Sequence, residues 1–432
     1  MRVGLAPARS VLDNGTTLLV KQTTTTPAVA ISLSMRAGSI VDPPGLAGMT
    51  WLLSRVIDRG TAMRSAAEIA EGLDSRGIAL TILVTRHAFS IGCRCLADDF
   101  EPVLALLADI LMSPSLPEEE IAVRKVEVIT SIRQDLDNPA VRATETLMAH
   151  LYPDEHPYGR RTKGSIEVVE RLTRDQLLQL HGERFAPGAL TAVIVGDVEP
   201  ARTQEVASQV LGGWRKPAPA PSGVERPAPS GVEASLTVPP VVPATTRTRI
   251  VIPMMNKSQA DIAYGFTAIT RRDPAYYAFW LMNVAFGQYA IGGRLGDSIR
   301  ERQGMAYYVS SAVDANVAPG PLVIRAGVSP ANVDRAIASI DEEVVRLVSD
   351  GLTPQELDES RRYLIGSIPR SLETNAAIAN FLHTEEFFGL GLDYDVRLPD
   401  LLNAVTMDDV NAAARSVLSP DRATVVIAGP YR

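Results

Sequence analysis

The sequence predicts an α+β protein built from two copies of one module. Three observations carry that prediction. Residues 190–197 and 423–430 are both apolar, β-branched runs that end on glycine and an open turn, and each closes one half of the chain. Each half opens with strands and continues into helices with apolar residues at helical spacing. A stretch rich in Pro, Ala, Ser and Gly separates the halves. It holds a tandem repeat, Pro219-Ala220-Pro221-Ser222-Gly223-Val224-Glu225 and the same seven residues at 227–233. Such composition buries no core and reads as an extended linker. The expected organisation is a module at 1–216, a linker at 217–243 and a module at 244–432. The 432 residues are too many for one ordinary core, which agrees with two domains.

In order along the first half, 28–35 reads as a strand and Phe100–Met112 as an amphipathic helix. Pro114-Ser115-Leu116-Pro117-Glu118-Glu119-Glu120 has the proline and acids of a helix start. In the second half, 249–253 and 260–264 read as strands and 333–347 as a helix, and Pro354-Gln355-Glu356-Leu357 opens another helix.

Hydrophobic residues at 46% and charged residues at 21% describe a folded globular chain. The net charge of −8, with no long basic run, argues against nucleic acid or an anionic membrane as the main partner. Cys93 and Cys95 are the only cysteines. They alternate along a strand and read as two small buried residues, since a zinc site would need more soft ligands. No run of about 18 apolar residues occurs, so no transmembrane helix is expected. The first residues lack the apolar core of a signal peptide. The expected location is the cytoplasm, or the periplasm had a leader been removed.

Several segments then add up. Val11-Leu12-Asp13-Asn14-Gly15 comes first. Gly45-Leu46-Ala47 opens a helical stretch that ends in Arg59-Gly60-Thr61, followed by Arg64-Ser65-Ala66-Ala67-Glu68-Ile69-Ala70. His156-Pro157-Tyr158-Gly159, Val195-Gly196-Asp197-Val198, and Arg294-Leu295 with Ile299-Arg300 and Gly304-Met305-Ala306-Tyr307 follow. In this order they resemble the pitrilysin/insulinase family of zinc metallopeptidases, the mitochondrial-processing-peptidase type in particular. The resemblance implies two homologous α/β-roll modules facing each other across a cavity.

Active relatives carry H-x-x-E-H on the helix after the Gly45 position: two histidines hold zinc and a glutamate activates water. Here the frame is present and the motif is absent. In the simplest register the histidine positions read Gly48 and Leu52 and the glutamate position reads Trp51. The first histidine of the chain is His87, so no shift restores the motif. The later glutamate ligand falls on Ser131. A catalytic zinc needs about three protein ligands, so this chain is expected to bind no metal and no other cofactor.

The resemblance also implies that Arg300 and Tyr307 grip substrate and stabilise an oxyanion, roles that suit a guanidinium and a phenol. Tyr308 is the alternative should the register slip. The bland alternative is a solvated arginine and a core tyrosine. His383-Thr384-Glu385-Glu386-Phe387 stops one ligand short of the zinc motif and is expected to be a surface pair. His156 is read as shaping a loop, and His87, His150 and His181 as structural. The glycines between Gly287 and Gly296 lack the Gly-Lys-Ser/Thr of a phosphate loop. They read as a loop before the arginine helix. No G-x-S-x-G is present, which argues against a serine hydrolase.

The function that follows is the non-catalytic subunit of a heterodimeric zinc peptidase. Zinc would sit in a homologous partner that bears H-x-x-E-H, and the substrates would be peptides or unfolded segments. The alternative is an inactive homologue acting as a structural subunit or peptide-binding protein.

Overall fold

A computed structural model describes residues 4–153, 156–215, 238–289 and 292–432. Most of the expected linker, 217–243, lies outside the described residues.

The first sheet has six strands: β1 (Ala8–Val11), β2 (Thr17–Gln22), β3 (Ala28–Met35), β4 (Thr81–Val84), β5 (Phe89–Leu96) and β6 (Leu190–Gly196). Their order is β1-β2-β6-β3-β5-β4. The second has five: β7 (Thr248–Pro253), β8 (Ala260–Thr267), β9 (Ala306–Val313), β10 (Pro321–Val328) and β11 (Thr424–Gly429). Their order is β7-β11-β8-β10-β9. With β1 set aside, the two sheets match strand for strand. Each has one parallel pair, β2 with β6 and β7 with β11, and every other pairing is antiparallel. This match bears out the sequence expectation of a duplicated α+β module.

The closing glycines are part of the design. Gly196 has φ +151° and Gly429 has φ +146°. A Cβ on Gly196 would stand 2.2 Å from the Ala28 carbonyl oxygen, and one on Gly429 would stand 2.6 Å from Ala260 Cα. In both modules only glycine lets the closing strand pass that close to the start of its neighbour.

The compact units are not the contiguous halves. One comprises the described residues of Met1–Ile132, Arg161–Thr237 and Pro369–Val396. The other comprises Arg133–Arg160, Val238–Ile368 and Arg397–Arg432. Each sheet is covered by a helix from beyond the linker. The Asn375–Phe388 helix lies on β6 and β3. Its Ile378, Ala379 and Leu382 pack with Leu19, Val193 and Val195. The Pro139–Leu151 helix lies on β8 and β11. There Leu147 meets Gly265, where an added Cβ would be 2.8 Å from Leu147 Cδ2. Apolar burial drives both placements, and β8, covered on both faces, is buried along its whole length.

Candidate functional site

In the unit built on the first sheet, the helix Met49–Val56 corresponds to the segment where relatives bear the zinc motif. Its start is held by Asp42, a buried carboxylate. Asp42 accepts from Gly48 N at 2.8 Å, Thr50 N at 2.9 Å and Thr50 Oγ1 at 2.5 Å. Gly48 has φ +101° and lies against the loop at 163–164. A Cβ there would be 2.5 Å from the Lys163 carbonyl oxygen. Gly164, φ +76°, meets the helix start in return, with its would-be Cβ 2.0 Å from Ala47 O. Two glycine backbones thus dock face to face.

The positions read from sequence as histidine sites are therefore spent elsewhere. Gly48 is a backbone contact, and Leu52 is wholly buried in the core. The exposed stripe of the helix carries Trp51, half-buried, and Arg55, exposed one turn later. Arg55 Cζ and Lys163 Nζ each lie 5.7 Å from the Trp51 ring centroid. Lys163 Nζ donates to Ser131 Oγ at 2.7 Å. Of the expected ligand positions, only Ser131 has its side chain tied to this cluster, through Lys163. Sequence reading missed Arg55 and Lys163. Counting back from Arg59-Gly60-Thr61 instead of forward from Gly45 would have placed Trp51 and Arg55 on the exposed face. Nothing in the sequence pointed to Lys163.

These residues do not fit zinc. The metal takes thiolate, imidazole or carboxylate, and this cluster offers an indole, a hydroxyl and two cations that would repel it. Among the described residues, no group of three or more His, Cys, Asp and Glu is placed to hold a metal. Cys93 and Cys95 are both buried on β5, and burial pushes their thiols up to about 12 and about 11.

The histidines hold the fold. His156 Nδ1 accepts from Tyr158 N at 3.1 Å, so its Nε2 donates to the Pro239 carbonyl at 3.0 Å. His181 lies 2.8 Å from the Leu111 carbonyl. The expectation of a surface pair at His383 and Glu386 needs correction. His383 is half-buried against β3, with Nε2 2.9 Å from Ser32 Oγ, and desolvation there pushes its imidazole down to about 4. Glu386 accepts two hydrogen bonds from Arg9 of β1, at 2.8 and 2.9 Å. Both side chains fasten the Asn375–Phe388 helix to the first sheet.

In the other unit, Arg300 lies in a π-helical turn, Gly296–Arg302, and is exposed, 3.6 Å from Glu301. Gly304, φ +61°, closes the turn, its N–H donating to Arg300 O at 3.0 Å. The chain then enters β9. There Gly327 of β10 faces Tyr308, and the next residue, Val328, faces Ala306. Tyr307 is the extra residue of a β-bulge, and its side chain is 66% exposed. Tyr308 is committed to the sheet, its hydroxyl donating to Asp261 Oδ1 at 2.5 Å. The geometry thus leaves Tyr307, not Tyr308, available to a ligand. Arg294, in the glycine run, is held bidentately by Glu356 at 2.6 and 2.7 Å.

Paired five-strand cores with exchanged covering helices define a two-module peptidase fold. Residues 17–163 match the family model described as insulinase (peptidase family M16), and 171–364 match that described as peptidase M16 inactive domain. The chain belongs to the M16, or insulinase, family. It is 25% identical to a Streptomyces coelicolor protein named uncharacterized zinc protease, over 98% of this chain and 90% of that one. It is 24% identical to the Bacillus subtilis uncharacterized zinc protease YmxG, over 97% of each. A Helicobacter pylori relative, 21% identical over 88% of this chain and 84% of its own, is named non-peptidase homolog YmxG. Among solved structures, a peptidase M16 inactive domain from Pseudomonas fluorescens superposes with a TM-score of 0.87 at 25% identity, covering 99% of this chain and 98% of that one. A Helicobacter pylori protease superposes with 0.88 at 15% identity, covering 99% and 100%. Among the described residues, no helix is long and apolar enough to cross a membrane.

Proposed function

We propose that this chain is an inactive peptidase homologue that works as the non-catalytic subunit of a two-subunit zinc peptidase. The homologous partner carries H-x-x-E-H and the zinc. This chain supplies Arg300 and Tyr307, which bind the substrate backbone and stabilise developing negative charge. Substrates are peptides or unfolded segments, bound extended along a sheet edge. The observation that carries the reading is a contrast. The metal-helix face holds Trp51, Arg55 and Lys163, which do not fit zinc. The Arg300–Tyr307 segment keeps an exposed guanidinium and a bulge-presented phenol with no part in the core.

The name non-peptidase homolog borne by the Helicobacter pylori relative supports the inactive half of this reading. It equally suits a second reading, a structural or peptide-binding subunit. Reconstitution separates them. Peptide cleavage is measured with an H-x-x-E-H-bearing homologue, with and without this chain. Turnover that rises only in the mixture supports the shared site. Co-purification with equal turnover in both samples favours the structural subunit.

A further inference from the structure

Tyr307 is aimed by the residues on either side of it. As the extra residue of the bulge it has no partner on β10, so the ladder alone does not set its direction. On the N-terminal side, Gly304 N donates to Arg300 O at 3.0 Å and Met305 N to Ile299 O at 3.1 Å. Gln303 Nε2 donates to Ser339 Oγ at 3.1 Å. The chain thus leaves the Arg300 turn along a fixed path. On the C-terminal side the ladder resumes at Tyr308, opposite Gly327. A Cβ on Gly327 would stand 2.4 Å from Tyr308 Cε1 and 2.3 Å from Gln259 Nε2, so glycine makes the room for the ring. Past Gly327 the Tyr308 hydroxyl reaches Asp261 of β8, which is buried and also accepts from Gln259 Nε2 at 3.1 Å. A hydrogen bond to a buried carboxylate is among the stronger ones. One unpaired residue is therefore held between two anchored stretches.

We propose that Tyr308, bonded to Asp261 across Gly327, is a positioning residue for Tyr307. Its own hydroxyl is committed to Asp261 and contacts no substrate. What it fixes is the direction in which the bulge presents the Tyr307 phenol. This role rests on the reading that Tyr307 binds the substrate backbone in a shared site.

The test is a double-mutant cycle on the full chain, mixed in saturating excess with the H-x-x-E-H-bearing homologue. The readout is kcat and KM on an internally quenched, unstructured decapeptide. Tyr307→Phe is expected to lower kcat about tenfold or more. Tyr308→Phe should lower kcat about tenfold and leave KM within about twofold, because the Tyr307 hydroxyl is still present but misplaced. In the Tyr307→Phe background the same change should cost less than about twofold, since the group being positioned is gone. A purely structural loss lowers the folded fraction in both backgrounds alike. Asp261→Asn keeps an acceptor for the phenol and should lose severalfold less than Tyr308→Phe. Should Tyr308→Phe melt below the assay temperature, Gly327→Ala, which displaces the ring and keeps its hydroxyl, carries the cycle. Equal losses in both backgrounds overturn the positioning role and leave Tyr307 in the site. So does parent turnover in Tyr308→Phe while Tyr307→Phe falls. Parent turnover in Tyr307→Phe, or a mixture no faster than the homologue alone, removes the shared-site reading and the positioning role with it.

Discussion

Tyr308 donates its phenolic hydrogen to Asp261 across Gly327, linking β9 to β8 over the strand between them. Asp261 is buried, and burial together with this hydrogen bond pushes the Tyr308 phenol well above the usual tyrosine range. Tyr308→Phe leaves the buried carboxylate with one donor fewer, which costs on the order of 1–3 kcal/mol. Tyr307→Phe next door removes a hydroxyl from an exposed ring and should change stability by no more than a few tenths of a kcal/mol. Denaturant melts of the two variants check this. Equal losses would mean that Tyr307, too, belongs to the sheet.

Arg300→Ala should lower turnover of the reconstituted pair by about a hundredfold, roughly 3 kcal/mol, if its guanidinium faces the developing oxyanion. The melting curve of the isolated chain should stay where it was, because Arg300 is exposed and its contact is with Glu301 on the same turn. Unchanged turnover with unchanged melting removes Arg300 from the site.

Purified chain should retain no stoichiometric zinc after dialysis. Trp51, Arg55, Lys163 and Ser131 provide no ligand set, and two of them are cations. Elemental analysis that finds about one zinc per chain would contradict this and point back to the remaining histidines.

Gly48→Ala should destabilise the first unit by about 2 kcal/mol or more. The new Cβ must enter the left-handed region and push against the Lys163 carbonyl. Gly45→Ala is the control. Its φ is also positive, +77°, but nothing lies within 4 Å of the added carbon, so only the backbone strain remains. Similar losses for both would show that the Lys163 contact yields easily.

His383 makes stability depend on pH. The unfolded imidazole titrates near 6.5, and the folded one, half-buried against β3, near 4. Between those values the unfolded chain binds a proton that the folded chain refuses. The contribution is therefore full above pH 6.5 and is lost as pH falls toward 4, up to about 3 kcal/mol in all. His383→Gln should flatten that limb of the stability profile relative to the parent chain. Parallel profiles would show that the imidazole is already accommodated as a cation.

The absence of the H-x-x-E-H motif was legible from sequence alone, because a motif that needs histidine is ruled out where no histidine occurs before residue 87. The duplicated module was legible too. Strand runs that stop on Gly196 and Gly429, and helical stripes such as Phe100–Met112, are local patterns set by backbone sterics and side-chain period. Sequence also singled out Arg300 and Tyr307, through the residues around them.

Tertiary structure decided the rest. Counting along the helix stretch could start from either end, and only the packing of Leu52 into the core and of Gly48 against Lys163 shows which face is exposed. The choice of Tyr307 over Tyr308 is a matter of strand register, since a one-residue bulge turns one ring outward and lays the other over Gly327. The exchange of covering helices, the contact of His383 with Ser32 and the meeting of Lys163 with Trp51 and Ser131 join segments far apart in the chain. Local sequence sets dihedral preferences and periodicity. Which distant faces meet is set by the apolar surface that the whole fold can bury together, and no single segment carries that information.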